Sequence, residues 1–167
     1  ALNAGIQQAR GAIFVFVDDD VLVTPTWLRG LWSCLTEERA DVVAGRILPS
    51  WEGGRPAWMT DKVFRLIGSL GCLDHGTERL RAGGSFNGRW VGGNVAIRRE
   101  VIQRLGGYDV RMVRAQDTEY SNRCLRGGAV VFYEPSALGY HQIGADRSTP
   151  GYCRRWCRQT QYYQAYL

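Results

Sequence analysis

Lysine is almost missing from this chain: Lys62 stands alone among 21 Lys and Arg residues. A phosphate loop built on a lysine therefore has one candidate, and no glycine-rich stretch contains it. Histidine is nearly as scarce, with His75 and His141 the only two. Both lie away from Cys153 and Cys157, the cysteine pair at helical spacing, so a zinc site there lacks ligands. The five cysteines are odd in number and scattered, which argues against a disulfide framework and for a reducing, cytoplasmic setting. No apolar run approaches the length of a membrane-crossing helix, and no leader pattern opens the chain. A starting Met is absent too; Ala1-Leu2-Asn3-Ala4-Gly5 reads like the middle of a domain, so the expectation is a piece of something longer. Internal repeats, low-complexity tracts and a domain boundary are not visible either.

What is present is one domain's worth of chain, 167 residues with 45% apolar and 22% charged content, enough for a real core. Net charge is +5 and the sequence pI is near 9.1. The excess is arginine, gathered between Arg79 and Arg114 and again at Arg154, Arg155 and Arg158. Such a balance suits a nucleotide diphosphate, an acidic lipid surface or nucleic acid, and does not choose among them.

The centre of the sequence is Asp18-Asp19-Asp20, placed directly after the apolar run Ala12 to Val17. That run reads as a buried strand of a mostly parallel sheet. Strand alternation would point Asp18 and Asp20 to one face and Asp19 to the other. Carboxylates at the carboxyl end of a parallel strand lie where open α/β sheets bind ligands. Three adjacent acids repel one another unless a cation neutralises them. Oxygen ligands suit Mg²⁺ or Mn²⁺, which complete their shell with water and substrate phosphates. The competing readings are a solvated acidic turn or a helix N-cap cluster, the latter disfavoured because the next helix is expected near Pro25.

Periodicity predicts helix over Asn3–Arg10, a helix opened by Thr24-Pro25 with Leu28, Leu31, Trp32 and Leu35 as its apolar stripe, and a strand over Asp41–Leu48. A helix is expected within Trp58–Leu70 and a mobile, glycine- and arginine-rich loop over His75–Gly88. A strand over Val91–Ile97, a short helix to Leu105 and a helix over Gln116–Arg126 follow. A strand over Ala129–Tyr133, a separate short one ending at Tyr140-His141, and a tail helix over about residues 151–167 complete the order. Helices alternating with strands argue an α/β layered fold. Asp117 opens a helix, where it reads as an N-cap or as an ionised base. Glu119 and Arg123 are spaced for an ion pair, and the arginines from Arg98 to Arg114 read as solvated, with one or two free to meet phosphate.

Taken in order, Asn3-Ala4-Gly5, Val17-Asp18-Asp19-Asp20, Pro25-Thr26-Trp27-Leu28, Gly92-Gly93-Asn94-Val95-Ala96-Ile97, Leu105-Gly106-Gly107-Tyr108-Asp109, Asp117-Thr118-Glu119 and His141 form a series. It resembles the family 2 glycosyltransferases of GT-A fold over essentially the whole chain. The resemblance implies a single partial catalytic domain across residues 1–167, a Rossmann-like mixed, mostly parallel sheet flanked by helices, with the nucleotide-binding first strands lying before Ala1. It further implies inverting transfer from a nucleotide-diphosphate sugar, assisted by Mg²⁺ or Mn²⁺, to a saccharide, lipid-linked or protein acceptor. Cell-envelope polysaccharide assembly would be the setting, with no nucleic acid partner and with room for peripheral contact at the inner face of a membrane.

Residue by residue, the resemblance makes Asp18, Asp19 and Asp20 the donor-binding acidic motif, with Asp18, Asp20 and His141 as metal ligands. Gly92, Gly93 and Asn94 would lie beside the donor, and Asp109 and Glu119 beside the acceptor. Asp117 would be the general base. Two departures stand out: Gln116 occupies the place of the family's usual Glu, and Leu2 stands where an Arg or Lys is common. A metal-dependent nucleotidyltransferase, or a basic module binding polysaccharide or nucleic acid without catalysis, are the alternative functions.

Overall fold

The computed structural model describes residues 1–164. In chain order the elements are α1 (Leu2–Gln8), β1 (Ile13–Val17), β2 (Val21–Val23), α2 (Trp27–Glu37), β3 (Val42–Trp51), α3 (Asp61–Leu66) and β4 (Leu80–Arg81). After these come β5 (Asn94–Arg98), α4 (Arg99–Leu105), α5 (Gln116–Arg126), β6 (Val131–Ile143) and α6 (Pro150–Gln164). The last three residues of the expected tail helix, 165–167, lie outside the described residues.

The strands form one mixed sheet in the order β1-β5-β3-β6-β2, with β4 added to β6. Among the described strands the β3–β6 pair is parallel, and β1–β5, β3–β5, β2–β6 and β4–β6 are antiparallel. The expected mixed sheet is what forms, but its pairing is mostly antiparallel rather than mostly parallel. An apolar run shows that a strand is buried on at least one face, but carries no information about its partner's direction. The first strand shows the same limit. It lies at the edge of the sheet and leaves Val15 and Val17 partly exposed, so it is not the fully buried strand its composition suggested.

Strand alternation sorts the core into two faces. Val42, Ala44, Val95 and Ile97 point to one side, where Val101, Ile102, Tyr108 and Tyr120 from the α4–α5 region cover them. Val43 and Ala96 point to the other and meet Leu31, Cys34 and Leu35 of α2. Burial of Leu31 and Leu35 contributes about 1.5–3 kcal/mol each. The expected α2 stripe holds only in part: Leu28 and Trp32 are more than half exposed, and Gly30 and Cys34 are buried in their place. The helix also begins later than expected. Trp27 is its first residue, Thr26 its cap, and Thr24 and Pro25 lie in the turn before it.

β6 runs through Pro135 without a break, although proline suggested one. The β3–β6 register shifts between Gly45 and Ile47, which face Glu134 and Gly139, so Pro135 falls in a bulge where no ladder N–H is needed. Glu134 stitches that bulge by accepting from the backbone N–H and hydroxyl of Ser136 at 2.9 and 2.6 Å. Beyond the bulge, the outer edge of β6 changes partner from β4 to β2.

The His75–Gly88 stretch is tied down rather than loose. It contains β4, Phe86 is fully buried, and Arg79 bonds Glu134, Glu37 and Glu38 at 2.6–2.9 Å. Several arginines expected in solvent are likewise occupied. Arg98 donates to the carbonyls of Ala40 and Leu35, Arg99 to Gly11 and Ala9, and Arg104 to Gly127. The five cysteines are free thiols. Among the described residues no helix is long and apolar enough to cross a membrane.

Candidate active site

Asp18 to Asp20 form a tight turn between two strands, in which the backbone N–H of Val21 donates to the carbonyl of Asp18 at 3.1 Å. Simple alternation therefore does not govern the three side chains. What places Asp20 is β2 lying antiparallel on β6, with Val21 opposite His141 and the backbone N–H of Gln142 donating to the carbonyl of Asp20 at 2.8 Å. This pairing brings Asp20 Oδ2 to 3.3 Å from His141 Nε2. Arg147, from the 3₁₀ turn Ala145–Ser148, donates to the same oxygen at 2.8 Å. Burial works to raise the pKa of Asp20, but the Arg147 hydrogen bond and the nearby His141 outweigh it and hold the carboxyl below its ordinary value.

Asp18 behaves differently. Its carboxylate lies over Gly93, where an added Cβ would come within 2.8 Å of Oδ2. Desolvation raises its pKa, and the charges of Asp20 and Asp117 add to the rise. Asp19 is exposed.

Asp117 arrives from the other side of the sequence. Ala115, held at φ 58°, caps α5, so Asp117 is in the first turn and is not the N-cap. Its Oδ1 accepts from the N–H of Thr118 at 2.8 Å and its Oδ2 from the N–H of Gly92 at 3.3 Å. Burial raises its pKa; these backbone N–H groups pull the other way and do not cancel it. Gly92 and Gly93 thus serve successive acids: one donates to Asp117 and the other leaves space for Asp18.

These groups share a cleft of about 510 Å³ lined by Asp18, Asp20, Gly92, Asp117 and His141. Trp90, Tyr108, Arg114, Arg147, Tyr152 and Trp156 line it as well. Tyr108 is fixed by Asn3 of α1, which donates to its carbonyl at 2.8 Å and accepts from its N–H at 2.9 Å. A Cβ on Gly107 would lie 2.5 Å from the same Asn3 side chain, so that glycine admits the clasp.

Four expected site residues lie elsewhere. Asn94 is fully buried, accepts from the indole N–H of Trp27 and donates to the carbonyls of Arg46 and Ala137. Glu119 is held by Arg123 at 2.7 Å, and Arg123 also binds the carbonyls of Leu105 and Gly107. Asp109 pairs with Arg111 at 2.7 Å, which holds its carboxyl down at about 2. Asp19 does not line the cleft. Conversely, Arg147, Trp90 and Trp156 line it without having been singled out, and Arg114, one of the arginines expected in solvent or on phosphate, lines it too. Arg147 follows His141 by six residues across Gly144, a spacing with no period that would have flagged it.

A divalent ion was expected on Asp18, Asp20 and His141. Among the described residues no three His, Cys, Asp or Glu side chains stand preformed around one point; Asp20 and His141 are the pair in contact, and Asp18 lines the same cleft. One carboxylate oxygen and one imidazole nitrogen fit an ion that takes its remaining ligands from water and phosphate. The His141 side chain is partly buried, and its Nδ1 is buried without a partner.

Comparison with known proteins gives this geometry its context. The sequence profile of glycosyl transferase family 2 matches residues 1–106. The glucosyl-dolichyl phosphate glucuronosyltransferase of Haloferax volcanii is 27% identical over 151 residues, covering 83% of this chain and 45% of that protein. The pre-mycofactocin glycosyltransferase of Mycobacterium tuberculosis is 28% identical over 142 residues, or 84% of this chain and 29% of that protein. The chain thus spans less than half the length of these relatives. The mannosyltransferase PcManGT of Pyrobaculum calidifontis, solved with GDP-Man and Mn²⁺, superposes with a TM-score of 0.61 at 19% identity, over 98% of this chain and 40% of that one. GalNAc-T7, solved with UDP, GalNAc and Mn²⁺, superposes at 0.60 with 21% identity, over 84% of this chain and 29% of that one. At such identities these structures speak to the fold, which is the GT-A fold. With its profile covering well over half of the residues, the chain belongs to glycosyl transferase family 2.

Proposed function

We propose that the cleft carries out inverting transfer of a sugar from a nucleotide-diphosphate donor to an acceptor hydroxyl. The observation that carries this reading is the sharing of one cleft by two carboxylates with opposite shifts. Asp20 is held ionised beside His141 and Arg147, and Asp117 is made more basic by burial. Carboxylates pushed apart by their surroundings divide the work of charge binding and proton transfer.

Asp117 takes the proton of the acceptor hydroxyl, and the N–H groups of Gly92 and Thr118 hold its carboxylate in place. Arg147 presents a positive charge to the donor's phosphate oxygens. A Mg²⁺ or Mn²⁺ ion held by Asp20 and His141 would supply Lewis-acid stabilisation of the charge growing on the leaving diphosphate. For the acceptor we favour a lipid-linked group, the class that the name of the Haloferax relative states for that protein. A plain binding module has no need of a half-buried carboxylate without a countercharge, so catalysis accounts for Asp117 better than binding does.

The test is donor hydrolysis and transfer by purified protein carrying Asp117→Asn or Asp20→Ala, with the product anomer assigned by NMR. Asp117→Asn is expected to lower kcat by about 10²–10⁴-fold. Asp20→Ala is expected to abolish the response to added Mn²⁺ after chelation. Wild-type rates in both variants, or retention of the anomeric configuration, would sink the proposal.

A further inference from the structure

Val113 to Thr118 line the cleft without a break, one wall that runs from the loop after α4 into the first turn of α5. Two opposite charges, Arg114 and Asp117, stand three residues apart on that wall. Neighbouring arginines are occupied. Arg104 donates to the carbonyl of Gly127, Arg111 pairs with Asp109, and Arg123 holds Glu119 and two carbonyls. Arg114 is different: among the described residues no carboxylate or carbonyl meets it. Its guanidinium lies instead over the ring of Trp156, 5.0 Å from the centroid, and Trp156 lines the same cleft from α6. Nor does Arg114 serve as the countercharge of Asp117, whose pKa stays raised and is opposed chiefly by backbone N–H groups. A half-buried cation is thus held at the cleft wall with no anion of its own.

We infer that Arg114, held on Trp156, binds an oxyanion of the acceptor, a phosphate or carboxylate carried near the hydroxyl that attacks. A guanidinium resting on an aromatic face keeps its in-plane N–H groups for a bidentate oxyanion, a contact that a neutral hydroxyl cannot match. The surroundings make such a cation necessary for an anionic acceptor. Asp18, Asp20 and Asp117 line the same cleft and would repel a second negative charge that Arg114 did not neutralise. Position assigns the anion to the acceptor and not to the donor. Arg147, the other arginine of the cleft, is bonded to Asp20 beside His141 and reaches it from the turn after β6. Arg114 comes instead on the wall of Asp117, the group that takes the acceptor's proton. Assignment to the acceptor rests on the transferase reading; an oxyanion site at Arg114 does not.

The experiment is isothermal titration calorimetry near neutral pH with three forms of one sugar: methyl glucoside, glucose 6-phosphate and glucuronate. Wild-type protein is expected to bind the anionic forms about 10–100-fold more tightly than the neutral one, the margin of a charge-assisted bidentate contact. Arg114→Met is expected to erase that margin and leave the affinity for methyl glucoside unchanged. Arg114→Lys, which keeps the charge and loses the fork, is expected to erase part of it. Arg147→Met is expected to keep the margin, which sets an anion at Arg114 apart from one at the donor's phosphate position. Binding of either anionic sugar supports the inference, and the tighter of the two tells a phosphorylated acceptor from a uronic one. Matching circular dichroism confirms that each variant is folded. No saturable heat with either anionic sugar, a margin that survives Arg114→Met, or one that is lost in Arg147→Met would overturn the inference. The titrations involve no turnover. Wild-type rates in Asp117→Asn would therefore remove the transferase reading and leave the oxyanion site standing, whereas an unaltered Arg114→Met removes the oxyanion site alone.

Discussion

Replacing Asn94 by alanine separates a structural role from donor contact. Asn94 is fully buried where β5, β3 and β6 meet, and its amide makes three hydrogen bonds: from Trp27 at 2.8 Å, to Arg46 at 3.1 Å and to Ala137 at 2.8 Å. Two of its partners are carbonyls beside the β3–β6 register shift, where the ladder cannot satisfy them. At about 1 kcal/mol net for each lost bond, Asn94→Ala is expected to cost about 3 kcal/mol. Gly45 provides an internal control. A Cβ there would lie 2.2 Å from Nδ2 and 2.4 Å from Cγ of Asn94, so Gly45→Ala alone is expected to cost about 2–3 kcal/mol through overpacking. In the double variant the amide is gone and the new methyl enters the space it leaves. The two costs should then sum to less than additive, by at least about 1 kcal/mol. Urea unfolding followed by tryptophan fluorescence reads all four corners of the cycle. Additivity within about 0.5 kcal/mol would refute the packing argument. So would an Asn94→Ala protein of wild-type stability with a raised KM for donor, which would return Asn94 to the binding site.

Asp117→Asn should gain stability while losing activity. The folded state holds the Asp117 proton more tightly than the unfolded chain does, so stability falls as pH rises from the ordinary value of 3.8 through the raised folded value. The variant should accordingly melt above wild type at neutral pH, with the gap closing at acid pH; no gap in Tm against pH would contradict the burial argument. The same shift places the acid limb of kcat/KM at a pH above that of an ordinary carboxylate, and a pH–rate profile checks it. Arg79→Met should cost about 3 kcal/mol, because Glu134, with its side chain 5% exposed, loses its countercharge while Glu37 and Glu38 lose a shared cation. Adding Glu134→Gln should recover part of that loss in the same unfolding assay.

The sequence reported most reliably on what is local. The acids after an apolar run, the helix over Gln116–Arg126 stopped by Gly127, and the Glu119–Arg123 pair are visible in residue order because their causes lie within a few residues. Direction and order of strands are set by partners far along the chain. Ala12–Val17 could therefore be read as a strand, and neither its antiparallel pairing with β5 nor its edge position could. The same reason hid Arg147, which reaches Asp20 only because β2 and β6 pair. Pro135 misled for a different reason: proline breaks a ladder, yet here the ladder already contains a bulge. The arginines were misjudged because a guanidinium that binds backbone carbonyls looks, in sequence, the same as one in solvent.

Where the chain departs from low-energy arrangements also bears on where it acts. Away from the cleft, buried charge is compensated: Glu134 has Arg79, Glu119 has Arg123, and the amide of Asn94 has three partners. Around the cleft the compensation is incomplete. Asp117 and Asp18 both have raised pKa values, although Asp18 is exposed at the cleft, His141 keeps an unpartnered ring nitrogen, and Ala115 takes a left-handed conformation immediately before α5. Each costs stability, and each lies within two residues of Asp117 or on the cleft wall. Folding alone gives no reason for these costs to gather there, since apolar residues at the same positions would remove most of them. A site that must hold a cation and take a proton needs carboxylates whose charge is not fully satisfied before substrate arrives. The concentration of unsatisfied groups in one cleft thus supports catalysis over simple packing, and it explains why Asp117→Asn should trade activity for stability.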